Sequence, residues 1–324
     1  MRVGSRRRAN GPPVIRALVS IGTNSTRLLV LDGELRVAAE SRGTRIGTGI
    51  GVRGSIDAAA AQRTLAAVDD YVAIARRRGA TAIDAVATSA LRRAGDGAAF
   101  GAEVGRRTGI APRVLSGEEE ATYSFLGATA ARSGEQSLAV LDVGGGSSEL
   151  AVDRPAHARA NGTVQRTMSL EIGAVRLSER HPALLGARAL DDAERSAVER
   201  DARTDAAAVL APFAGIRGFT ELIVVGGTAF TAAAMVAVGM HDGTRMTRAD
   251  CARLVARLLE RDLDARKRLA HIRPQRADIL PAGLILVDEG CRLLDVDAFT
   301  ISEADLLLGY LKSSAFRGAP LPEG

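Results

Sequence analysis

The chain has 324 residues, 46% apolar and 25% charged, which excludes a disordered polymer and fits about two ordinary domains. Its formal net charge of +5 comes from the start of the chain: five of the 43 basic residues (Arg2, Arg6, Arg7, Arg8, Arg16) fall within residues 1–16 beside no acid, and the remaining 38 match the 38 acids. With no Trp and 3% aromatic residues there is no platform for stacking single-stranded bases, so the high pI does not point to nucleic acid.

After a basic arm, 1–13, expected to be disordered, residues 14–21 read as a buried strand and 22–25 as a polar turn. Segments 26–31 and 35–39 form a hairpin around Asp32-Gly33. Ser55 is placed to cap a long amphipathic helix that ends near Arg78, before Gly79. Strand 82–87 runs into Thr88-Ser89-Ala90-Leu91-Arg92. Next come helix 98–108, strand 113–115 and a helix opening at Ser116, the last with Ser116 and Glu119 spaced as a capping box.

The pattern then restarts. Residues 137–142 and 148–152 read as strands around a glycine turn, 165–170 as a third strand, and 174–181 and 191–213 as helices. Strand 222–225 leads through Gly226-Gly227-Thr228, with Thr228 as the expected N-cap, into helix 229–238. The remainder reads as helices 248–260, 264–270, 281–294 and 303–312, with a strand at 298–301. The restart is an internal repeat. Residues 19–28, VSIGTNSTRL, align without gaps on 141–150, LDVGGGSSEL, at an offset of 122 throughout. Two copies facing each other set two polar turns across one cleft, the usual place for a ligand.

Several residues in and near these turns carry chemistry. Gly144, Gly145, Gly146, Ser147 and Ser148 expose backbone N–H groups that can wrap an anion, and their bracketing acids, Asp142 and Glu149, suit a hard cation that bridges protein and phosphate oxygens. Residues 149–153, after the turn, have a β pattern, and no lysine follows the glycines, so this is neither a dinucleotide fingerprint nor a Walker loop. Gly22, Thr23, Asn24 and Ser25, with Arg27 behind them, form the first copy; there the position of Asp142 is Ser20. In Ser116-Gly117-Glu118-Glu119-Glu120 the first two acids suit the helix dipole, whereas Glu120 is not needed for the cap and lies on another face. Arg92 comes after a strand end, where it can hold a phosphate bidentately, and Arg93 reads as a surface residue. Gly227 and Thr228 open a helix whose N-terminus can take a phosphate, although plain capping explains them equally. Cys251 and Cys291 read as buried thiols, and the four histidines lack ligand spacing. No apolar run is long enough to span a bilayer and the arm lacks the apolar stretch of a secretory signal, so the expected setting is cytoplasmic, with no membrane or nucleic-acid partner.

Together the segments SIGTNSTRLLV (20–30), ATSALRRA (87–94), SGEEEA (116–121), LDVGGGSSELAV (141–152), SLEIGAVRLSE (169–179), VVGGTAFTAAA (224–234), RADILPAGLILV (276–287) and SEADLLLGYL (302–311) resemble the exopolyphosphatase / guanosine pentaphosphate phosphohydrolase family of the sugar kinase–actin–heat-shock ATPase superfamily. The resemblance implies an α/β protein of two ribonuclease-H-like (actin-like) domains facing an interdomain cleft: 14–130, with the final helix 303–313 placed to pack back on it, and 131–312, with a tail, 313–324. It implies Mg²⁺-dependent release (Mn²⁺ being the other cation considered) of terminal orthophosphate from inorganic polyphosphate, or of the 5′ γ-phosphate from guanosine pentaphosphate, by a homodimer.

By the same resemblance Glu120 is the catalytic glutamate acting as general base, Asp142 and Glu149 hold the cation, the 144–148 turn cradles phosphates, Arg92 neutralises their charge, and Asn24 and Ser25 close from the other domain. Two departures matter. Ser20 stands where the family usually has Asp, which opens a third reading as a weakly catalytic binder of polyphosphate or guanosine tetraphosphate. The chain also ends at residue 324, where longer relatives carry a helical domain, so a preference for shorter polyphosphates or reliance on a dimer partner is expected.

Overall fold

The computed structural model describes residues 14–132, 136–153, 164–237 and 242–320; the arginine arm, the expected helix end at 238 and the last four residues of the tail lie outside them. The first sheet starts as an antiparallel meander of β1 (Ile15–Ile21), β2 (Thr26–Asp32) and β3 (Leu35–Arg42). The chain continues through α1 (Ile50–Arg53) and α2 (Ala58–Arg77) to β4 (Ala82–Ala87), parallel to β1. Next come α3 (Ser89–Arg93), α4 (Gly97–Thr108), β5 (Arg113–Val114), parallel to β4, and α5 (Gly117–Thr129).

The second sheet repeats the plan. Strands β6 (Leu138–Val143), β7 (Ser148–Val152) and β8 (Arg166–Leu170) form a meander, and β9 (Glu221–Val225) joins β6 in parallel after α6 (Ala174–Arg180) and α7 (Asp192–Leu210). Beyond them lie α8 (Gly227–Val236), β10 (Arg245–Thr247), α9 (Arg248–Leu259), α10 (Leu263–Lys267), α11 (Leu280–Leu293) and β11 (Ala298–Ile301), giving the order β10-β11-β9-β6-β7-β8. Finally α12 (Leu306–Lys312) and β12 (Ala319–Pro320) return to the first sheet, where β12 pairs with β4. Among the described residues no helix is long and apolar enough to cross a membrane.

Most boundaries shift by a few residues, and three helix starts are set by other residues than the sequence suggests. Asp57, not Ser55, caps α2, its carboxylate accepting from the Ala60 N–H at 2.9 Å, immediately before the alanine run. Helix α8 starts at Gly227 with Gly226 as a cap that offers no side chain, so Thr228 lies inside the first turn. The last helix begins at Leu306 rather than 303, because the Asp305 carboxylate accepts from the Leu307 N–H at 3.1 Å.

Strand alternation decides which helices each sheet buries. Ala17, Val19, Ile21, Leu28 and Val30 pack with α2 and α4, while Leu18, Leu29, Leu31 and Val86 on the opposite face pack with Tyr123 of α5 and Leu307, Tyr310 and Leu311 of α12. On the second sheet Leu138, Val140, Ala151, Ile223 and Val225 pack with Ala121, Phe125 and Ala128, again of α5. One helix is therefore covered from both sides. Its contact with α12 is tight: a Cβ on Gly309 would overlap the Tyr123 carbonyl, and one on Gly127 the Asp305 carbonyl. Gly309→Ala is expected to lower stability by about 1–3 kcal/mol through overpacking, read as a fall in Tm, while Gly51→Ala, which has open space around it, stays near wild type.

Candidate active site

The repeat survives in three dimensions residue for residue. Ser20 stands opposite Arg27 across β1 and β2, as Asp142 stands opposite Glu149 across β6 and β7, and each turn closes with the same bond at 3.0 Å, Gly22 N–H to the Ser25 carbonyl and Gly144 N–H to the Ser147 carbonyl. The turn carbonyls are tied outward. Arg45 and Gly47 donate to those of Asn24 and Thr23, and the first N–H groups of α6, from Ala174 and Val175, donate to those of Gly144 and Gly145 at 2.9 Å. The N–H groups of residues 23, 24, 145 and 146 have no acceptor among the described residues, which leaves a set of donors for an anion.

The two turns touch. A Cβ built on Gly145 would lie 3.1 Å from the Asn24 nitrogen, and one on Gly146 2.5 Å from the Thr23 hydroxyl. Around this contact the halves are tied by Arg45 to Asp278 at 2.6 Å and Gly49 N–H to Glu179 at 2.6 Å, and Arg27 pairs with Asp305, the cap of α12, at 2.6 Å. Not every expected phosphate group points into the cleft. The Ser148 hydroxyl is spent on the Ile172 carbonyl at 2.7 Å, and Thr228 packs against Gly283 of α11.

Glu120 sits just inside the first turn of α5, 6% exposed. The Ser116–Glu119 capping box forms as expected, so Glu119 belongs to the cap. Arg92, in the last turn of α3, donates through Nη1 to Glu120 at 2.5 Å and to the Leu115 carbonyl at 2.8 Å, and through Nη2 to Glu171 at 3.1 Å. Burial pushes the Glu120 carboxyl up to about 7, with Asp142 and Glu171 adding to the rise and Arg92 opposing it. Asp142 accepts from the Ser124 hydroxyl at 2.5 Å, and burial and the Asp305 charge push it up to about 6. Glu149 accepts from the Ser169 hydroxyl at 2.8 Å, and burial together with the charges of Glu120 and Asp142 holds it well above the usual carboxylate range. Three acids thus meet, each made harder to ionise by desolvation and by its neighbours.

That donor set fits a hard cation. Every candidate ligand is an oxygen, the acids repel one another when charged, and the buried Asn24 Oδ1 at the turn contact has no hydrogen-bond donor. Among the described residues no group of three or more His, Cys, Asp or Glu is arranged to hold a metal by itself. Two carboxylates completed by phosphate oxygens and water is the arrangement Mg²⁺ commonly takes.

Sequence reasoning missed four contributors. Ser124 and Ser169 orient Asp142 and Glu149, Glu171 shares Arg92, and Arg276 lies against Gly227 and donates to the Ser25 hydroxyl at 3.3 Å. Burial and the charges of Arg27 and Arg273 push the Arg276 guanidinium down to about 10. Arg276 falls in the quoted segment 276–287, but no local pattern could pair it with a residue 251 positions away. Beside it a cavity of about 680 Å³ is lined by Arg27, Arg273, Arg276, Phe230, Ser25 and Gly227 among others, and the acids Glu120 and Asp142 are not in its wall.

Comparison with known proteins gives a consistent picture. A family model described as Ppx/GppA phosphatase matches residues 32–315. Exopolyphosphatase 2 of Mycobacterium tuberculosis (strain H37Rv) is 31% identical over 322 residues, covering 92% of this chain and 98% of that protein. The guanosine-5′-triphosphate,3′-diphosphate pyrophosphatase of Vibrio atlanticus is 26% identical over 308 residues, covering 92% of this chain and 58% of that protein. Among solved structures, an exopolyphosphatase-like protein superposes with a TM-score of 0.81 at 27% identity (92% of this chain, 98% of that one), and the Aquifex aeolicus Ppx/GppA family member with 0.73 at 23% (93% and 97%).

The buried acids carry a stability consequence. A carboxyl raised above its ordinary value favours folding while protonated, and that contribution is lost as pH climbs through the raised value. Gln at position 149 does not titrate. Measured without divalent cation, the Tm of Glu149→Gln minus that of wild type is therefore expected to grow more positive from about pH 5 to about pH 8. A difference that shrinks with pH would remove Glu149 from the buried acid cluster.

Proposed function

The chain belongs to the Ppx/GppA phosphatase family, and we propose that it is a phosphoric anhydride hydrolase of the exopolyphosphatase type, releasing terminal orthophosphate from inorganic polyphosphate with Glu120 as general base. The observation that carries this reading is the meeting of Glu120, Asp142 and Glu149 with Arg92 where two anion-suited turns touch. A polyphosphate end is a compact polyanion, and phosphoryl transfer asks mainly for positioning and charge neutralisation. Guanosine pentaphosphate hydrolysis is the other reading that the relatives suggest. Polyphosphate is preferred because the match to the exopolyphosphatase runs over 98% of that protein, against 58% of the pyrophosphatase.

The chemistry derives from the residues. The terminal phosphoryl group is received by the free N–H groups of residues 23, 24, 145 and 146, which requires the halves to part and then close again through the ties from Arg45 and Gly49. A phosphate oxygen takes Arg92 Nη1 from Glu120, so the interaction that lowers the Glu120 pKa is lost just as a base is needed. Glu120 accepts a proton from a water, the water oxygen bonds to phosphorus, and the bridging P–O bond breaks toward the shortened chain. Asp142 and Glu149 would hold Mg²⁺, which when bound supplies neutralisation of phosphate charge.

Two experiments test this. In an orthophosphate-release assay with long-chain polyphosphate and Mg²⁺, Glu120→Gln is expected to lower kcat by roughly 10²–10⁴ while polyphosphate still binds; an unchanged kcat removes Glu120 as base. Because the base works ionised, kcat/KM of wild type is expected to rise with pH through about 7, and Arg92→Gln, which removes the opposing charge, to move that limb to higher pH. A separate measurement concerns the first copy of the turn: Ser20→Asp restores the acid usual in the family, and a large gain in turnover across a Mg²⁺ titration identifies the native site as weakened, whereas a neutral or adverse effect identifies it as adapted to serine.

A further inference from the structure

At the mouth of the site Glu171 is shared by three guanidinium groups. Arg176 meets its carboxylate at 2.6 Å, Arg92 at 3.1 Å and Arg93 at 3.6 Å, and the Ser89 hydroxyl lies 3.4 Å away. Two of the cations are held independently of that carboxylate. Arg176 also donates to the Glu171 main-chain carbonyl at 2.7 Å and to Ser89 Oγ at 2.9 Å, and Arg92 is anchored on Leu115 and Glu120. They arrive from both halves, Ser89, Arg92 and Arg93 on α3 and Arg176 on α6. The carboxylate is the loose member: the Glu171 side chain is 45% exposed, against 14% for Arg176 and 24% for Arg92. Three positive charges converging with a hydroxyl on one singly charged carboxylate is an arrangement a phosphate satisfies better, since it brings more charge and a third oxygen.

We propose that Arg93, Arg176, Ser89 and the outer Nη2 of Arg92 form a phosphate subsite one step outward from the reacting phosphate, and that Glu171 fills it in the absence of substrate as a carboxylate plug that the next phosphate of the chain displaces. The inference rests on the reading of this site as one for a polyphosphate. Arg93, expected to be a plain surface arginine, becomes part of the binding track. Displacement swings Glu171 toward solvent and frees Arg92 from its outer partner, so filling the subsite and charging the inner site are coupled through one guanidinium.

The test separates binding from turnover. The affinity for inorganic polyphosphate is measured by calorimetry without divalent cation, and KM is measured by orthophosphate release with Mg²⁺, for wild type, Glu171→Gln, Arg176→Gln and Arg176→Lys. Removing the plug's charge is expected to lower both Kd and KM by roughly twofold to fivefold, the size of a half-exposed ion pair. Arg176→Gln is expected to raise both by about tenfold, with partial rescue by Arg176→Lys, which keeps the charge but not the fork. Thermal melts confirm that all four proteins are folded. A Glu171→Gln protein whose Kd and KM are unmoved or weaker overturns the inference, whatever its turnover. If Glu171→Gln tightens binding while no protein releases orthophosphate, the subsite stands and the hydrolase reading falls.

Discussion

Helix α5 is packed on both sides, by Tyr123 against the first sheet and α12, and by Ala121, Phe125 and Ala128 against the second sheet. A helix held this way cannot rotate or slide without opening one core or the other, and its first turn carries Glu120. The same packing strips water from the Glu120 carboxyl, which is the largest cause of its raised pKa. Position and basicity of the proposed base therefore have one origin, and the glycines at 127 and 309 that let α12 approach so closely serve the site as much as the fold.

The electrostatics of the cleft are internally compensated. Buried acids raise one another, and arginines from distant parts of the chain oppose them: Arg92 beside Glu120, and Arg27 and Arg276 near Asp142. The low effective polarity that makes isolated burial costly also makes each of these pairs matter. Against this, the net charge of +5 says little, because its surplus belongs to residues 1–16. A polyanion would be met by a few placed guanidinium and N–H groups, with acids close by to hold a cation.

Duplication explains the geometry and its asymmetry. Both copies keep strand register, turn closure and outward-tied carbonyls, so both present N–H donors to the same space. They diverge at the paired positions flanking the turn, where the second copy has Asp142 opposite Glu149 and the first has Ser20 opposite Arg27. One wall carries a pair of acids and the other a fixed positive charge, an asymmetry that suits the proposed phosphate site.

Most elements are legible in the sequence because they arise from local patterns: alternation marks the strands, the 122-residue offset marks the repeat, and Ser116-Gly117-Glu118-Glu119 marks the start of α5. Where local signals compete, sequence and structure part, as at Ser55 against Asp57 or Thr228 against Gly226, since either residue could cap and only the backbone path chooses. The acids and turns of the site are legible for the same reason, being bracketed in short motifs. Their partners are not. That Arg276 reaches Ser25, that Ser169 holds Glu149, and that Arg92 and Arg93 reach Glu171 are contacts between separate segments of the chain. So the sequence by itself determined the repeated strand–turn–strand units and the chemistry each carries. Only the tertiary structure decided which charges are buried together, because desolvation and ion pairing depend on distances that close when the two sheets enclose α5.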